Sequence, residues 1–277
     1  MIYNKYGKTF QIIRKQLKLP LSYFTSYGIS TTSLSDFENG KTMMRFDKVL
    51  IALDAMNISL AEFELALNHY HPSEMSSFLQ KLKESIILDN ETELQKLLNV
   101  AQQSNNKPLV TTVLITLNKH NNEDIIYLID FLYNASYWSF TEISIFYILM
   151  SKLPPKDIKN ILNHIKASLS GIFLSLHHYR ELIPLLCKAI TVFSYHGYKE
   201  EAKNIIDLIE GQRKENSLLT DSLYLINLYY AAKGYWIYLF VNPKEGKMII
   251  EKFLNILSLA AKPQIFQYYQ RIYNKYI

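Results

Sequence analysis

From Met75 onward, apolar residues recur every three or four positions in stretches of about a dozen residues or more, separated by short polar breaks. No stretch alternates apolar and polar side chains as a half-buried strand does. This pattern admits a succession of helices and little else. The breaks fall at Asp89-Asn90, 104–106, Asn121-Asn122, 136–139, Pro154-Pro155, His177-His178, Gly197, Gly211, Asn242-Pro243 and Lys262-Pro263. Connections this short make successive helices antiparallel neighbours. With 8 Gly and 8 Pro in 277 residues, the chain also lacks the turn residues of an all-β fold. The fold class expected is all-α.

The first 67 residues carry the same period in shorter units and predict five helices. Phe10, Ile13 and Leu17 mark the inner face of the first. Pro20 opens a second over 21–26, and Tyr27-Gly28-Ile29 makes a turn. Ser30 caps a third that buries Leu34 and Phe37 and ends at Asn39-Gly40. Phe46, Val49, Leu50, Leu53 and Met56 stripe the fourth, while Leu60, Phe63 and Leu67 face inward from the fifth. The run NHYHPSE at 68–74 then breaks the period, predicting a linker between an N-terminal domain (1–67) and a helical domain (75–277).

Composition excludes several classes. Cys187 is the single cysteine, so neither an internal disulfide nor a thiolate zinc cluster can form, which fits a reducing cytoplasm. The N-terminus has no apolar h-region, so no secretory signal is expected. The segment nearest to a membrane span, 224–241, is interrupted by Asn227, Lys233 and Gly234, and reads as a buried helix pair. His69/His71 and His177/His178 lack carboxylate or thiolate partners at ligand spacing, and no glycine loop could cradle a phosphate. No cofactor, metal or catalytic site is expected. The net charge of +5 is mild, but residues 1–18 hold Lys5, Lys8, Arg14, Lys15 and Lys18 with no acid. A basic first helix can meet phosphates or serve as a solvated face.

The run Ser30-Thr31-Thr32-Ser33-Leu34-Ser35-Asp36-Phe37-Glu38-Asn39-Gly40-Lys41-Thr42 resembles the reading helix and following turn of repressor-type helix-turn-helix domains. The resemblance implies that Arg14 pairs with Glu38 and holds the first helix against the third. It places Thr31, Thr32, Ser33 and Asp36 toward the bases of a double-stranded operator. Lys41, Arg45 and Lys15 would contact phosphates. Asp36 departs from the long polar readers common at such positions and would itself repel phosphate.

Further on, His196-Gly197-Tyr198 through Ala202 resembles the turn and second helix of a tetratricopeptide unit, and Gly234-Tyr235 repeats the Gly-Tyr pair at a spacing near that repeat's period of about 34 residues. In Trp138-Ser139-Phe140-Thr141-Glu142, Ser139 can cap a helix and Glu142 can complete a capping box. Together with the length and motif order, these features resemble the Rgg/GadR/MutR regulators, a peptide-sensing group with tetratricopeptide-like domains. That resemblance implies a homodimer whose C-terminal helical-repeat solenoid holds a short hydrophobic peptide on its concave face. Asn227, flanked by Tyr224 and Tyr230, is the candidate to bond a peptide backbone, although a core Asn bonded to a neighbouring helix has the same sequence signature. Arg180, beside Tyr179, suits either a peptide carboxylate or a helix C-terminus. Lys188 stands where the family carries an Asn, with Tyr195 two turns further on the same face. The alternative to a peptide-controlled DNA-binding regulator is a helical-repeat interaction scaffold whose N-terminal module no longer binds DNA.

Overall fold

The computed structural model describes residues 2–71, 73–168, 176–215 and 222–277. Among the described residues the elements are all helices. The chain divides into two compact units, Met1–Ser77 and Phe78–Ile277.

The first unit contains α1 (Ile2–Gln16), a 3₁₀ helix (Leu21–Tyr27), α2 (Thr31–Glu38), α3 (Phe46–Ala55) and α4 (Leu60–Leu67). Phe10 centres its core, with ring centroids 5.8 Å from Phe24 and 5.8 Å from Phe37. Leu34, Ala52, Leu53 and Phe63 close around it. Ser30 caps α2 by accepting from the Ser33 amide at 3.2 Å, and Ser59 with Glu62 forms a full capping box on α4. Four expectations change, the first being that Leu60, the opening residue of α4, is 47% exposed and leaves Phe63 to face inward. The second helix is a 3₁₀ helix, closed by Gly28 at φ 72°. Leu17 is 44% exposed, because α1 ends at Gln16 and Lys18 turns the chain away at φ 57°. Phe46 is 62% exposed, since it is the first residue of α3 and the buried stripe starts one turn later at Val49.

The division between units falls within α5 (Glu74–Ile87). The second unit continues with α6 (Glu91–Gln103), α7 (Lys107–Thr116), α8 (Asn122–Tyr133), α9 (Phe140–Leu149) and α10 (Pro155–Ser168). After it come α11 (Leu176–Tyr195), α12 (Lys199–Glu215), α13 (Leu223–Phe240), α14 (Pro243–Ala260) and α15 (Pro263–Tyr276). Five of the ten polar breaks hold caps: Asn90, Asn106, Asn121, Ser139 and Asn242 each accept a backbone N–H of the helix they open, as Ser222 does for α13. Helices pack on their neighbours in the chain, α6 on α7, α7 on α8, α11 on α12, α13 on α14 and α14 on α15. Longer-range contacts, α7 with α9, α9 with α11 and α11 with α13, fold this series around α11.

The sequence breaks at His177-His178 and Gly211 fall inside α11 and α12 instead. Histidine is no helix breaker, and a helical glycine costs only about 1 kcal/mol relative to Ala. Gly197, at φ 80°, does turn the chain between α11 and α12, and Ala202 is buried there. Gly234-Tyr235 is no second such turn; it lies mid-helix in α13, where α14 crosses so closely that a Cβ on Gly246 would sit 2.6 Å from the Gly234 carbonyl oxygen. None of the described helices is long and apolar enough to cross a membrane.

Candidate functional site

Two sites follow from this fold, one in each unit. In the first, α2 presents its N-terminal side chains outward: Thr31, Thr32 and Ser33 are exposed while Leu34 and Phe37 are buried. What fixes α2 is a bidentate pair. Arg14 donates from Nε to Glu38 Oε1 at 2.5 Å and from Nη2 to Oε2 at 2.7 Å. Its third arm reaches the Leu19 carbonyl at 2.5 Å, and Gln11 donates to Glu38 at 3.2 Å. The two residues are 7% and 2% exposed, so each charge depends on the other. The hydrogen bond to Glu38 holds the Arg14 guanidinium above its usual pKa, outweighing desolvation. Sequence reading missed Gly7, where α1 meets α2 so tightly that a Cβ would lie 1.8 Å from the Phe37 carbonyl oxygen.

The remaining candidates lie at the surface. Lys41 pairs with Asp36 at 3.2 Å, so the carboxylate expected to repel phosphate has a cation beside it. Arg45 forks onto Asp47 at 3.1 and 2.9 Å, and Lys15 is exposed. Pairs this exposed are worth at most about 1 kcal/mol and exchange readily for a phosphate.

The second site is a cavity of about 450 Å³ in the second unit, within the size range of ligand pockets. One face of α11 lines it through Arg180, Pro184, Cys187, Lys188 and Thr191, and one face of α13 through Tyr224, Leu228, Ala231 and Tyr235. Lys83 of α5, Tyr147 of α9 and Tyr268, Tyr269, Lys275 and Tyr276 of α15 add further polar groups to the lining. Phenols bond in pairs: Tyr224 with Tyr269 at 2.8 Å, and Tyr147 with Tyr268. Burial pushes the ionisation of Tyr147 and Tyr269 well above the ordinary tyrosine range, and raises Tyr224 and Tyr268 as well. Tyr224 shows this although 47% of its surface is accessible, because it borders the cavity. The same burial pushes the Cys187 thiol up, so it stays protonated and unreactive.

Of the peptide-site candidates, the structure brings Arg180, Lys188 and Tyr224 to this cavity. Asn227 does not reach it; its amide donates to the Leu223 carbonyl one turn back, at 2.7 Å. Tyr230 points elsewhere, with its hydroxyl 3.5 Å from Arg213. The reason is geometric: steps of three residues rotate a helix by about 300°, so positions 224 and 230 lie about 120° apart, and the shared face runs through 224, 228, 231 and 235 instead. Tyr195 lies outside the lining, its ring tilted 60° against that of the lining residue Tyr276 at 4.5 Å. The side chain of Tyr179 lies outside the described residues. Tyr147, Tyr268, Tyr269, Lys83 and Lys275 were missed. Among the described residues no group of three His, Cys, Asp or Glu side chains could hold a metal ion.

The first unit thus has five short helices of helix-turn-helix type, and the second is a helical array with a cavity between its helices. The family model for the C-terminal domain of the HTH-type transcriptional regulator Rgg matches residues 64–271. The chain belongs to the Rgg family. Crystal structures with the same fold include the SHP pheromone receptor Rgg2 of Streptococcus dysgalactiae, 18% identical with TM-score 0.78 over 99% of this chain and 100% of that one. A protein from Listeria monocytogenes EGD-e is 14% identical with TM-score 0.83 over 99% and 97%. The PrgX/cCF10 complex is 15% identical with TM-score 0.75 over 98% and 92%.

Proposed function

We propose that this chain acts in the cytoplasm as a homodimeric, sequence-specific DNA-binding transcriptional regulator whose operator binding is set by a short hydrophobic peptide. The observation that carries this reading is the tyrosine-walled cavity between α11, α13 and α15. It offers apolar walls for side chains and phenol hydroxyls for a peptide backbone. The relatives' names support it: Rgg2 is a pheromone receptor, and PrgX was crystallised with cCF10. In this reading residues 1–67 bind DNA, 68–74 link, and 75–277 sense peptide and dimerise. Two copies are required because one reading helix buries too little for tight specific binding, and a two-fold protein matches a two-fold operator.

On the DNA side, Thr31, Thr32, Ser33 and Asp36 would meet base edges, with Lys15, Lys41 and Arg45 on phosphates. Selection from random duplexes by the full chain should enrich a two-fold sequence whose binding weakens steeply with salt. Thr32→Ala, at an exposed residue without a packing role, should weaken binding to that sequence about fivefold or more while leaving the melting temperature unchanged. No enriched sequence at low salt would favour the interaction-scaffold reading.

A further inference from the structure

The cavity's charges are unbalanced. Among its described lining residues the cations are Lys83, Arg180, Lys188 and Lys275, while Glu181 is the only carboxylate. Glu181 is already bonded to Lys83 at 2.7 Å. Lys188 donates to the Tyr147 carbonyl at 2.6 Å and lies 4.6 Å from the Tyr147 ring centroid. Lys275, at the end of α15, has the ring of Tyr276 at 5.1 Å. No carboxylate among the described residues lies within ion-pair distance of either lysine. The other titratable groups that line the cavity are the phenols of Tyr147, Tyr224, Tyr235, Tyr268, Tyr269 and Tyr276 and the thiol of Cys187, none of which supplies an anion.

Lys188 is half-buried beside phenols and aliphatic side chains with no anion in reach, and Lys275 borders the same cavity from its exposed rim, so a ligand carboxylate would find one cation poorly solvated and a second beside it. Burial first, and then Lys275, lowers the pKa of Lys188 to about 7. Near neutral pH, Lys188 is therefore partly the neutral amine.

Resting on the peptide reading above, we propose that Lys188 and Lys275 form a seat for a carboxylate of the bound peptide, and that a proton enters with it. The amine of Lys188 takes that proton from solvent and becomes the ammonium that pairs with the carboxylate. The carboxylate can be the peptide's C-terminus or an acidic side chain. Because the bound state holds the proton more tightly than the empty one, affinity rises as pH falls toward 7 and levels off below it.

Synthetic pools of N-acetylated octapeptides, each position Ile, Leu, Val or Phe, test this against the full chain. One pool carries a free C-terminus, one a C-terminal amide, and one an amide with a single central Asp. The best binder from each is then titrated calorimetrically. A carboxylate-bearing peptide should bind about tenfold or more tightly than its uncharged counterpart near pH 7, which is about 1.4 kcal/mol. Which of the two acidic pools wins identifies the source. Its affinity should fall as pH is raised from about 7 to 9, by up to about tenfold per unit, while the amide's stays flat. Lys188→Met should remove the pH dependence, and Lys275→Met should reduce the preference for the acid while keeping it. Equal binding of acidic and amidated peptides overturns the seat alone. No binding by any pool overturns the seat and the peptide reading together. Melting curves distinguish lost folding from lost charge, because Lys188→Met keeps the length and packing of the side chain, gives up one hydrogen bond to Tyr147, and should melt close to the natural chain.

Discussion

Glu38→Ala should lower the melting transition of the first unit by more than about 12 °C. The guanidinium of Arg14, 7% exposed, would keep the Leu19 carbonyl and lose both carboxylate contacts. Leaving one partner of a buried pair uncompensated costs about 3–5 kcal/mol. A unit ending at Ser77 has roughly 4–12 kcal/mol of stability in total, and each kcal/mol moves its transition by about 4–8 °C. The loss is therefore a large fraction of what holds α1 against α2. DNA binding should fall with it, because α2 carries Thr31, Thr32 and Ser33 and the pair sets its orientation. Replacing both partners, Arg14→Leu with Glu38→Leu, should recover most of the stability, since neither charge is then buried alone. Calorimetry of the three proteins is the check. A single variant that melts like the natural chain would mean that the pair is solvated.

Gly246→Ala should destabilise the second unit by about 3 kcal/mol or more and loosen its cavity. A Cβ there would lie 2.2 Å from the Tyr238 nitrogen, 2.5 Å from the Tyr238 Cα and 2.6 Å from the Gly234 oxygen. All three are backbone atoms, so no side chain can swing aside and α13 must separate from α14. Since α13 supplies Tyr224, Leu228, Ala231 and Tyr235, separation also disturbs one wall of the cavity. Gly211→Ala is the control: it too is helical, has nothing within 4 Å of a built Cβ, and should stabilise by up to about 1 kcal/mol. Denaturant titration of both variants reads the difference. Equal effects would mean that the α13–α14 crossing can relax.

These two glycines show where the sequence is legible and where it is not. Periodicity revealed the helices, because each buries one face of its own local segment. The Arg14/Glu38 pair was visible because a motif fixes both ends. Gly246 carried no local sign, since its constraint comes from α13 across a turn. The pattern was actively misleading at Gly234, where a glycine needed for close approach reads like one needed for a turn. The cavity was half legible for the same reason. Arg180, Lys188 and Tyr224 could be singled out along their own helices. Their partners depend on packing over long separations: Lys188 on Tyr147, 41 residues away, and Lys83 on Glu181, 98 residues away. Asn227 was misread because an amide that returns to its own helix at Leu223 has the same sequence signature as one that faces a ligand.

The central claim is that the cavity and the reading helix work as one switch, and fluorescence anisotropy tests it directly. The full chain is titrated onto the duplex it selects from random DNA, with and without the octapeptide it binds best, at saturating peptide. Coupling between sites is typically about 1–3 kcal/mol, so the account predicts that peptide changes DNA affinity by about fivefold or more. The effect should be abolished in a variant with Tyr224→Ala and Lys188→Met, which retains DNA binding. Peptide that binds the natural chain yet leaves its DNA affinity unchanged would contradict the account.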